Sequence, residues 1–222
     1  MLKFIVVFLF IITTSFAQEN ARISYGADYL FYFIHEQDTI GLPEMAKLQL
    51  AKNERLKKNA LAGSNDIFTL EISASISKFT FTEFMNADDS FSFATLYMAA
   101  RLQPILKFEN QLYAEKDFFK VQRSYEPFNI SINWKIREEF KTILDYECQL
   151  AEAELMFMER KYKVKAWFTT EIPIPEGPSF FKGLPGLILG LEKHGRYIYA
   201  KSIEFPDELE IEIPKELTKK AD

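Results

Sequence analysis

The sequence predicts a mainly β (α+β) protein, an antiparallel sheet with one or two helices packed on it. Hydrophobic residues alternate with polar ones over several long stretches, which is the period of a strand with one buried face. The 222 residues include 22 Phe, 10 Tyr and 2 Trp, and such aromatic enrichment favours a strand-rich core. With 48% hydrophobic and 27% charged residues, the composition is that of a globular domain and excludes a disordered chain.

The first 17 residues have the pattern of a signal peptide. Lys3 precedes an apolar run, Phe4–Ile12, and Ser15 and Ala17 form a small-x-small cleavage site. This run is much shorter than the roughly 20 residues of a membrane-spanning helix, which disfavours the alternative of an uncleaved anchor. We therefore expect cleavage between Ala17 and Gln18, and export to the periplasm or the extracellular space, where the protein could lie peripheral to the outer membrane.

The rest of the chain is interpreted as a single β-rich domain over residues 18–213, followed by a charged tail, residues 214–222, that we expect to be frayed. No later apolar stretch reaches spanning length, so no transmembrane segment is expected after cleavage. The formal net charge of −5 offers no overall basic field, which argues against nucleic acid as a partner.

In the first half of the domain, residues 23–33 alternate as a strand. Residues 42–62 change to a helical period, with Leu42 and Met45 on the apolar face and Gly63 as the C-cap. From Phe68 the period of two returns, and its parity flips at Ser77–Lys78, which requires a bulge or turn.

The second half predicts further strands. Residues 129–136 are interpreted as a strand ending near Trp134, and residues 162–172 as a strand with a basic face. Two stretches are ambiguous between helix and strand, residues 90–103 and residues 146–159. Residues 187–205 predict a hairpin with His194-Gly195 at its turn.

Gly183–Ile188 is the most distinctive segment. We interpret Leu184-Pro185-Gly186-Leu187 as a type II turn, because Pro presets the first central φ and Gly supplies the positive second one. Its apolar neighbours predict burial against the core. Upstream, three prolines lack an amide donor, which places this stretch on a sheet edge or across one end of the sheet; they are Pro173, Pro175 and Pro178.

The run Gly183–Ile188 resembles the motif that names the GLPGLI family, and the resemblance extends over residues 130–192. Further positions match the family's pattern: Trp134, Lys135, Ile136, Lys141, Ile143, Tyr146, Cys148, Ala151, Arg160, Trp167, Ile172, Pro173, Gly177 and Pro178. Leu144-Asp145 departs from it, since Leu-Gly or Ile-Gly is commoner there. The resemblance implies an exported protein of Bacteroidetes-type bacteria with no assigned activity, so these residues are predicted to be structural and no catalytic residue can be carried over.

Analogy with half-barrel lipoprotein and lipid carriers of the periplasm extends the fold expectation to a curled antiparallel sheet or half-barrel. Such a sheet would hold an apolar ligand, and the aromatic excess supports this picture. An open concave sheet lined by these aromatic residues would favour it, and a solid, fully packed sandwich would count against it.

Cys148 is the only cysteine, so no intrachain disulfide can form. No histidine lies near it to activate the thiol, and we expect a buried, structural side chain beside Tyr146 or Leu150.

Other candidate chemistry is sparse, and no catalytic residue, metal or cofactor is predicted. His35 and His194 lie far apart, and His194 is interpreted as a turn residue. Two acidic pairs, Glu152/Glu154 and Asp88/Asp89, are more typical of a solvated surface than of an acid pair or a cation site. Asp38-Thr39-Ile40 resembles a short O-glycosylation acceptor of Bacteroidetes proteins. The basic helix of residues 43–62 is interpreted as a solvated helix covering the sheet, with an anionic membrane surface as the alternative.

Two functional classes follow. The first is a non-enzymatic envelope protein that binds an apolar ligand such as a lipid, or another envelope protein. The second is a secreted hydrolase of envelope or extracellular polymer, which would need converging carboxylates or a His-activated nucleophile in a cleft.

Overall fold

The computed structural model describes residues 20–29, 41–62, 68–82, 102–116, 124–157 and 160–218. Their alternating patterns build eleven strands and two helices. The strands are β1 (Asn20–Tyr29), β2 (Phe68–Ser73), β3 (Ile76–Phe81), β4 (Ile105–Phe108), β5 (Gln111–Lys116), β6 (Ser124–Phe128), β7 (Lys135–Ile143), β8 (Tyr146–Phe157), β9 (Arg160–Thr169), β10 (Leu187–Lys193) and β11 (Arg196–Glu204). The helices are α1 (Glu44–Ala62) and α2 (Lys215–Thr218).

All eleven strands belong to one antiparallel sheet, in the order β6-β5-β4-β3-β2-β1-β11-β10-β9-β8-β7. The pairing of β1 with β11 joins a run of hairpins on each side. The two edge strands, β6 and β7, are consecutive in sequence but lie at opposite ends of the order. The predicted curled sheet or half-barrel is therefore wrong: the sheet is open, neither closed nor strongly curled.

One face of the sheet, here called the core face, carries most of the buried apolar side chains. β1 contributes Ile23 and Tyr25, and the aromatic rings of β2 and β3 stack, with Phe68 and Phe79 centroids 5.0 Å apart. Residues 170–186, here called the motif segment, pack on this face with Ile172, Ile174, Phe181 and Leu184 buried. The motif segment therefore occupies the apolar face of the sheet that the predicted ligand would need.

The opposite face, here called the outer face, is covered at β4–β6 by the C-terminal segment. Ile211 and Leu217 are buried against Leu106 of β4. The prediction of a frayed tail from residue 214 is wrong for residues 214–218, because Leu217 gives α2 an apolar anchor. Residues 219–222 lie outside the described part.

Several strand predictions are confirmed. β1 buries alternate residues, and the β10–β11 hairpin turns at His194-Gly195. β9 exposes Lys161 and Lys163 as predicted, but it ends at Thr169, so the predicted strand of residues 162–172 is confirmed only as far as that residue. The ambiguous stretch of residues 146–159 is strand β8 through Phe157.

Two strand predictions are wrong. Residues 129–134 form no strand, since β6 ends at Phe128 and β7 begins at Lys135. The parity flip arises at the two-residue turn Ala74-Ser75 between β2 and β3, upstream of the predicted position. Ala74 has a φ of 50°, which lets the chain reverse without a bulge.

The helix prediction is confirmed in position, and α1 begins directly after Pro43. Its predicted apolar face is wrong, because Met45 is 76% exposed and Leu42 is 36% exposed. Within the described residues, no helix combines the length and hydrophobicity needed to cross a membrane.

Several predicted features fall outside the described residues. These are the signal peptide with Ala17 and Gln18, the strand positions Phe31 and Phe33, His35, Asp38-Thr39-Ile40, the C-cap Gly63, Asp88/Asp89 and most of residues 90–103.

Candidate functional site

The motif segment folds back on itself through its prolines. The amide of Ile174 donates to the Ile172 carbonyl and that of Glu176 donates to the Ile174 carbonyl, both at 2.8 Å. These are successive three-residue turns centred on Pro173 and Pro175, whose fixed φ suits an inverse γ-turn. Each proline is the central residue of its turn, and the hydrogen bond of such a turn joins the residues on either side. The lack of a proline N–H therefore removes no hydrogen bond from these turns.

The end of the motif segment is tied to its beginning. Leu187 N donates to Ile172 O and Ile188 N donates to Glu176 O, each at 3.0 Å. The Tyr25 hydroxyl of β1 then donates to Ile188 O at 2.7 Å. The segment lies across the core face, so the predicted position at a sheet edge or end is wrong.

Gly186 is required for a reason other than the predicted one. Its φ is not positive, so the type II turn prediction is wrong. A Cβ at Gly186 would stand 1.9 Å from the Thr169 carbonyl oxygen at the end of β9. The glycine therefore allows close contact between two backbone segments. Leu184, Leu187 and Ile188 are buried as predicted, and β10 begins at Leu187.

Two other motif glycines serve distinct purposes. Gly183 has a φ of +87° and open space where a Cβ would lie, so Gly183 and not Gly186 supplies the predicted left-handed conformation. A Cβ at Gly177 would lie 2.7 Å from both Ile188 Cβ and the Phe181 carbonyl oxygen. Gly177 is therefore a packing glycine.

The centre of the motif segment carries a buried carboxylate. Glu176 is 5% exposed; it accepts a hydrogen bond from the Ser77 hydroxyl of β3 at 3.3 Å and forms an ion pair with Lys107 of β4. The Ser179 hydroxyl adds a hydrogen bond to Gln103 O at 2.8 Å. These contacts hold the motif segment to strands on the far side of β1.

Sequence reasoning missed Glu176 and its partners. In the sequence, Glu176 is marked only by the three prolines around it. That pattern does not reveal which distant strand supplies its partner, Lys107.

A cleft of about 330 Å³ opens beside the motif segment, here called the motif-side cleft. Its lining residues are Asn110, Leu112, Asn129, Ile130, Ser131 and Lys182. The Lys182 carbonyl accepts a hydrogen bond from Trp134 Nε1 at 3.0 Å, so a family-motif tryptophan positions this backbone. Burial lowers the pKa of Lys182; Glu176 opposes that shift and Lys107 adds to it.

Cys148 is confirmed as a buried residue of β8, fully shielded from solvent like Leu150. Its Sγ lies 3.6 Å from the Tyr146 carbonyl oxygen. Burial raises the pKa of the thiol to about 11, although the nearby Lys141 ammonium acts in the opposite direction. At neutral pH the side chain is therefore a thiol and not a nucleophilic thiolate.

Above Cys148, Lys141 joins three strands on the outer face. Its Nζ lies 4.2 Å from the Trp167 ring centroid and 4.4 Å from that of Tyr197. Trp167 Nε1 donates to the Glu192 carboxylate at 3.1 Å. Burial lowers the pKa of Lys141 and raises that of Tyr197 to about 12. Because β7 and β11 lie four strands apart, this contact requires the sheet to bend locally.

The remaining predicted residues do not converge on one site. Glu152 and Glu154 share a strand face as predicted, and Glu152 pairs with Arg137 at 2.8 Å while Glu154 is exposed. Ala151 is buried in β8, and Arg160 begins β9. In the part of the chain that is described, no group of three or more His, Cys, Asp or Glu residues is placed to hold a metal ion.

The fold is similar to that of PNGF-II. Crystal structures of PNGF-II in space groups P21 and C2 match with TM-scores of 0.54 and 0.53, each at 14% identity and over 86% of this chain. The chain spans less than a third of PNGF-II, 29% and 28% of it in the two crystals. No curated protein matches the chain.

The family model described as "Protein of unknown function (Porph_ging)" matches residues 152–190, which include β9, the motif segment and the start of β10. This match confirms the resemblance of the Gly183–Ile188 motif to the GLPGLI (Porph_ging) family, whose model is detected over these residues and whose function is unknown.

Proposed function

We propose that the protein is exported and acts as a non-enzymatic binding protein for a component of the cell envelope, with the motif-side cleft as its docking site. The observation that carries this proposal is the position of Lys182. The Trp134 indole and the positive φ of Gly183 set its backbone at the rim of a cleft otherwise lined by uncharged residues. The motif residues act here by positioning a binding side chain and not by reacting.

Two observations favour binding over hydrolysis. The Gly183–Ile188 motif offers no ionisable side chain, hydroxyl or thiol. The buried carboxylate of the motif segment, Glu176, is already engaged by Ser77 and Lys107, whereas acid–base hydrolysis employs a pair of carboxylates.

An apolar ligand in the core of the sheet is the weaker form of the proposal. The side chains of Ile172, Phe181 and Leu184 occupy the core face that such a ligand would need. The cleft itself combines two apolar walls, Leu112 and Ile130, with polar side chains, which suits a ligand with a polar group.

The test compares two tryptophan variants of the protein purified from its own envelope. Ser131→Trp fills the cleft, whereas Ser202→Trp places the same ring at an exposed position of β11. Native mass spectrometry should find a bound envelope component on the wild type and on Ser202→Trp, and at least tenfold less on Ser131→Trp. Equal loading of both variants, or an unloaded wild type, would refute the proposed site.

A further inference from the structure

Lys182 brings a positive charge to the motif-side cleft that no lining residue balances. Two ammonium groups, Lys107 and Lys182, interact with one buried carboxylate, Glu176. Lys107 forms the direct ion pair, and none of the six lining residues is acidic. The half-buried Lys182 ammonium therefore stands in a locally positive environment, which a bound anion would compensate.

Uncharged donors line the same cleft as this cation. In the part of the chain that the structure describes, no hydrogen bond engages the Lys182 ammonium, the Asn110 amide or the Ser131 hydroxyl. The side-chain oxygen of Asn129 accepts from Gln111 Nε2 at 3.5 Å, which leaves its amide nitrogen as a donor. The cleft thus brings together donors from the β4–β5 turn, the chain after β6 and the motif segment.

From this arrangement we infer that the motif-side cleft binds a phosphate group, with Lys182 as the charge partner and Asn110, Asn129 and Ser131 as hydrogen-bond donors. The inference rests on the proposed function, because it names the ligand class of the same cleft. A phosphate presents acceptor oxygens in several directions, which matches donors from three chain segments better than a planar carboxylate does. The phosphate could belong to a soluble ligand or to a lipid headgroup.

The first experiment is an NMR titration of the mature protein with inorganic phosphate at constant ionic strength, followed by an identical titration with acetate. Phosphate should saturably shift the backbone amides of residues 110, 131 and 182. Lys182→Gln should weaken this binding at least tenfold, while Lys163→Gln, which removes an exposed charge from β9, should leave it unchanged. Unchanged melting temperatures would show that both variants fold.

Two outcomes would overturn the inference. One is an equal response of wild type, Lys182→Gln and Lys163→Gln, which would indicate nonspecific screening. The other is acetate binding as strong as phosphate binding. If phosphate fails while Ser131→Trp still releases an envelope component, the ligand class is wrong and the proposed docking site stands.

The second experiment separates the two sources of phosphate. The protein is sedimented with vesicles of pure phosphatidylcholine and with vesicles containing 30% phosphatidylglycerol, a composition of about one anionic lipid in three. Lys182-dependent sedimentation with the anionic vesicles alone supports a lipid headgroup. Phosphate binding in solution without sedimentation supports a soluble phosphate ligand.

Discussion

A side chain at Gly186 would collide with the Thr169 carbonyl, so only glycine fits at this position. Gly183, three residues earlier, has ample space but a backbone conformation that side chains disfavour. Gly186 is therefore required because there is no space for a side chain, and Gly183 because of its backbone conformation.

This difference predicts unequal effects of alanine. Gly186→Ala should lower the free energy of unfolding by about 3 kcal/mol, because β9 or the motif segment must move to admit the methyl group. Gly183→Ala should cost about 1 kcal/mol, the penalty of a left-handed residue. Urea denaturation of both variants measures these values, and an equal loss would contradict the assignment.

The burial of the Cys148 thiol predicts that the protein becomes less stable at alkaline pH. The folded thiol has a pKa of about 11 against an ordinary value of 9.0. Because its folded pKa is raised, the stability it contributes is complete below pH 9 and is lost as the pH rises through 11. The expected loss is about 2–3 kcal/mol over this window.

The matched variant is Cys148→Ala, which should cost about 1 kcal/mol at neutral pH for a small cavity. Its unfolding free energy should fall less steeply than that of the wild type between pH 9 and pH 11. Parallel curves, or rapid labelling of the folded wild type by a bulky thiol reagent, would show that the thiol is not buried as described.

At the scale of elements, the motif segment depends on Glu176 for its attachment to β3 and β4. Glu176→Gln should lower the free energy of unfolding by about 3 kcal/mol, because it leaves the Lys107 ammonium, 19% exposed, without its counter-charge. The double variant Lys107→Met/Glu176→Gln should recover part of this loss. A double-mutant cycle by urea denaturation tests the coupling, which would be absent if the pair were solvated.

The β7–β8 hairpin turns at Leu144-Asp145, the position where the chain departs from the family pattern. Both residues have positive φ, 50° and 65°, as a type I′ turn requires. Replacing the pair with Asn-Gly should raise the free energy of unfolding by about 1 kcal/mol, since glycine adopts this conformation without strain. Thermal unfolding measures the effect, and an unchanged or lower Tm would indicate that Leu144 contributes packing.

At the scale of the whole molecule, an open sheet leaves two edge strands. The β7 edge carries charged residues and an irregularity in its pairing with β8 between Ile136 and Phe140. The β6 edge contains Pro127, which cannot donate to a further strand. Charges, irregular pairing and proline are features that protect edges from pairing with other chains.

Export is the remaining prediction at this scale. N-terminal sequencing of the protein from its own cells should return a mature chain beginning with Gln18, recovered outside the cytoplasm. The reason is the short apolar run followed by Ser15-Phe16-Ala17. Recovery of Met1 from a cytoplasmic fraction would be the contrary result.

The sequence by itself determined the local features of this protein. Period-two alternation predicted β1 and β9, and His194-Gly195 predicted the β10–β11 hairpin, because side-chain periodicity and turn chemistry act between near neighbours. The sequence likewise predicted that the GLPGLI motif is buried and leads into β10.

Only the tertiary structure decided where the motif segment goes. Its path across the core face depends on Glu176 meeting Ser77 and Lys107, residues 99 and 69 positions away in the chain. The need for glycine at position 186 is also tertiary, because it comes from Thr169 at the end of β9. The cleft around Lys182 is tertiary as well, because separate chain segments line it. Such contacts are formed by packing between distant segments, and no local pattern in the sequence encodes which segments will meet.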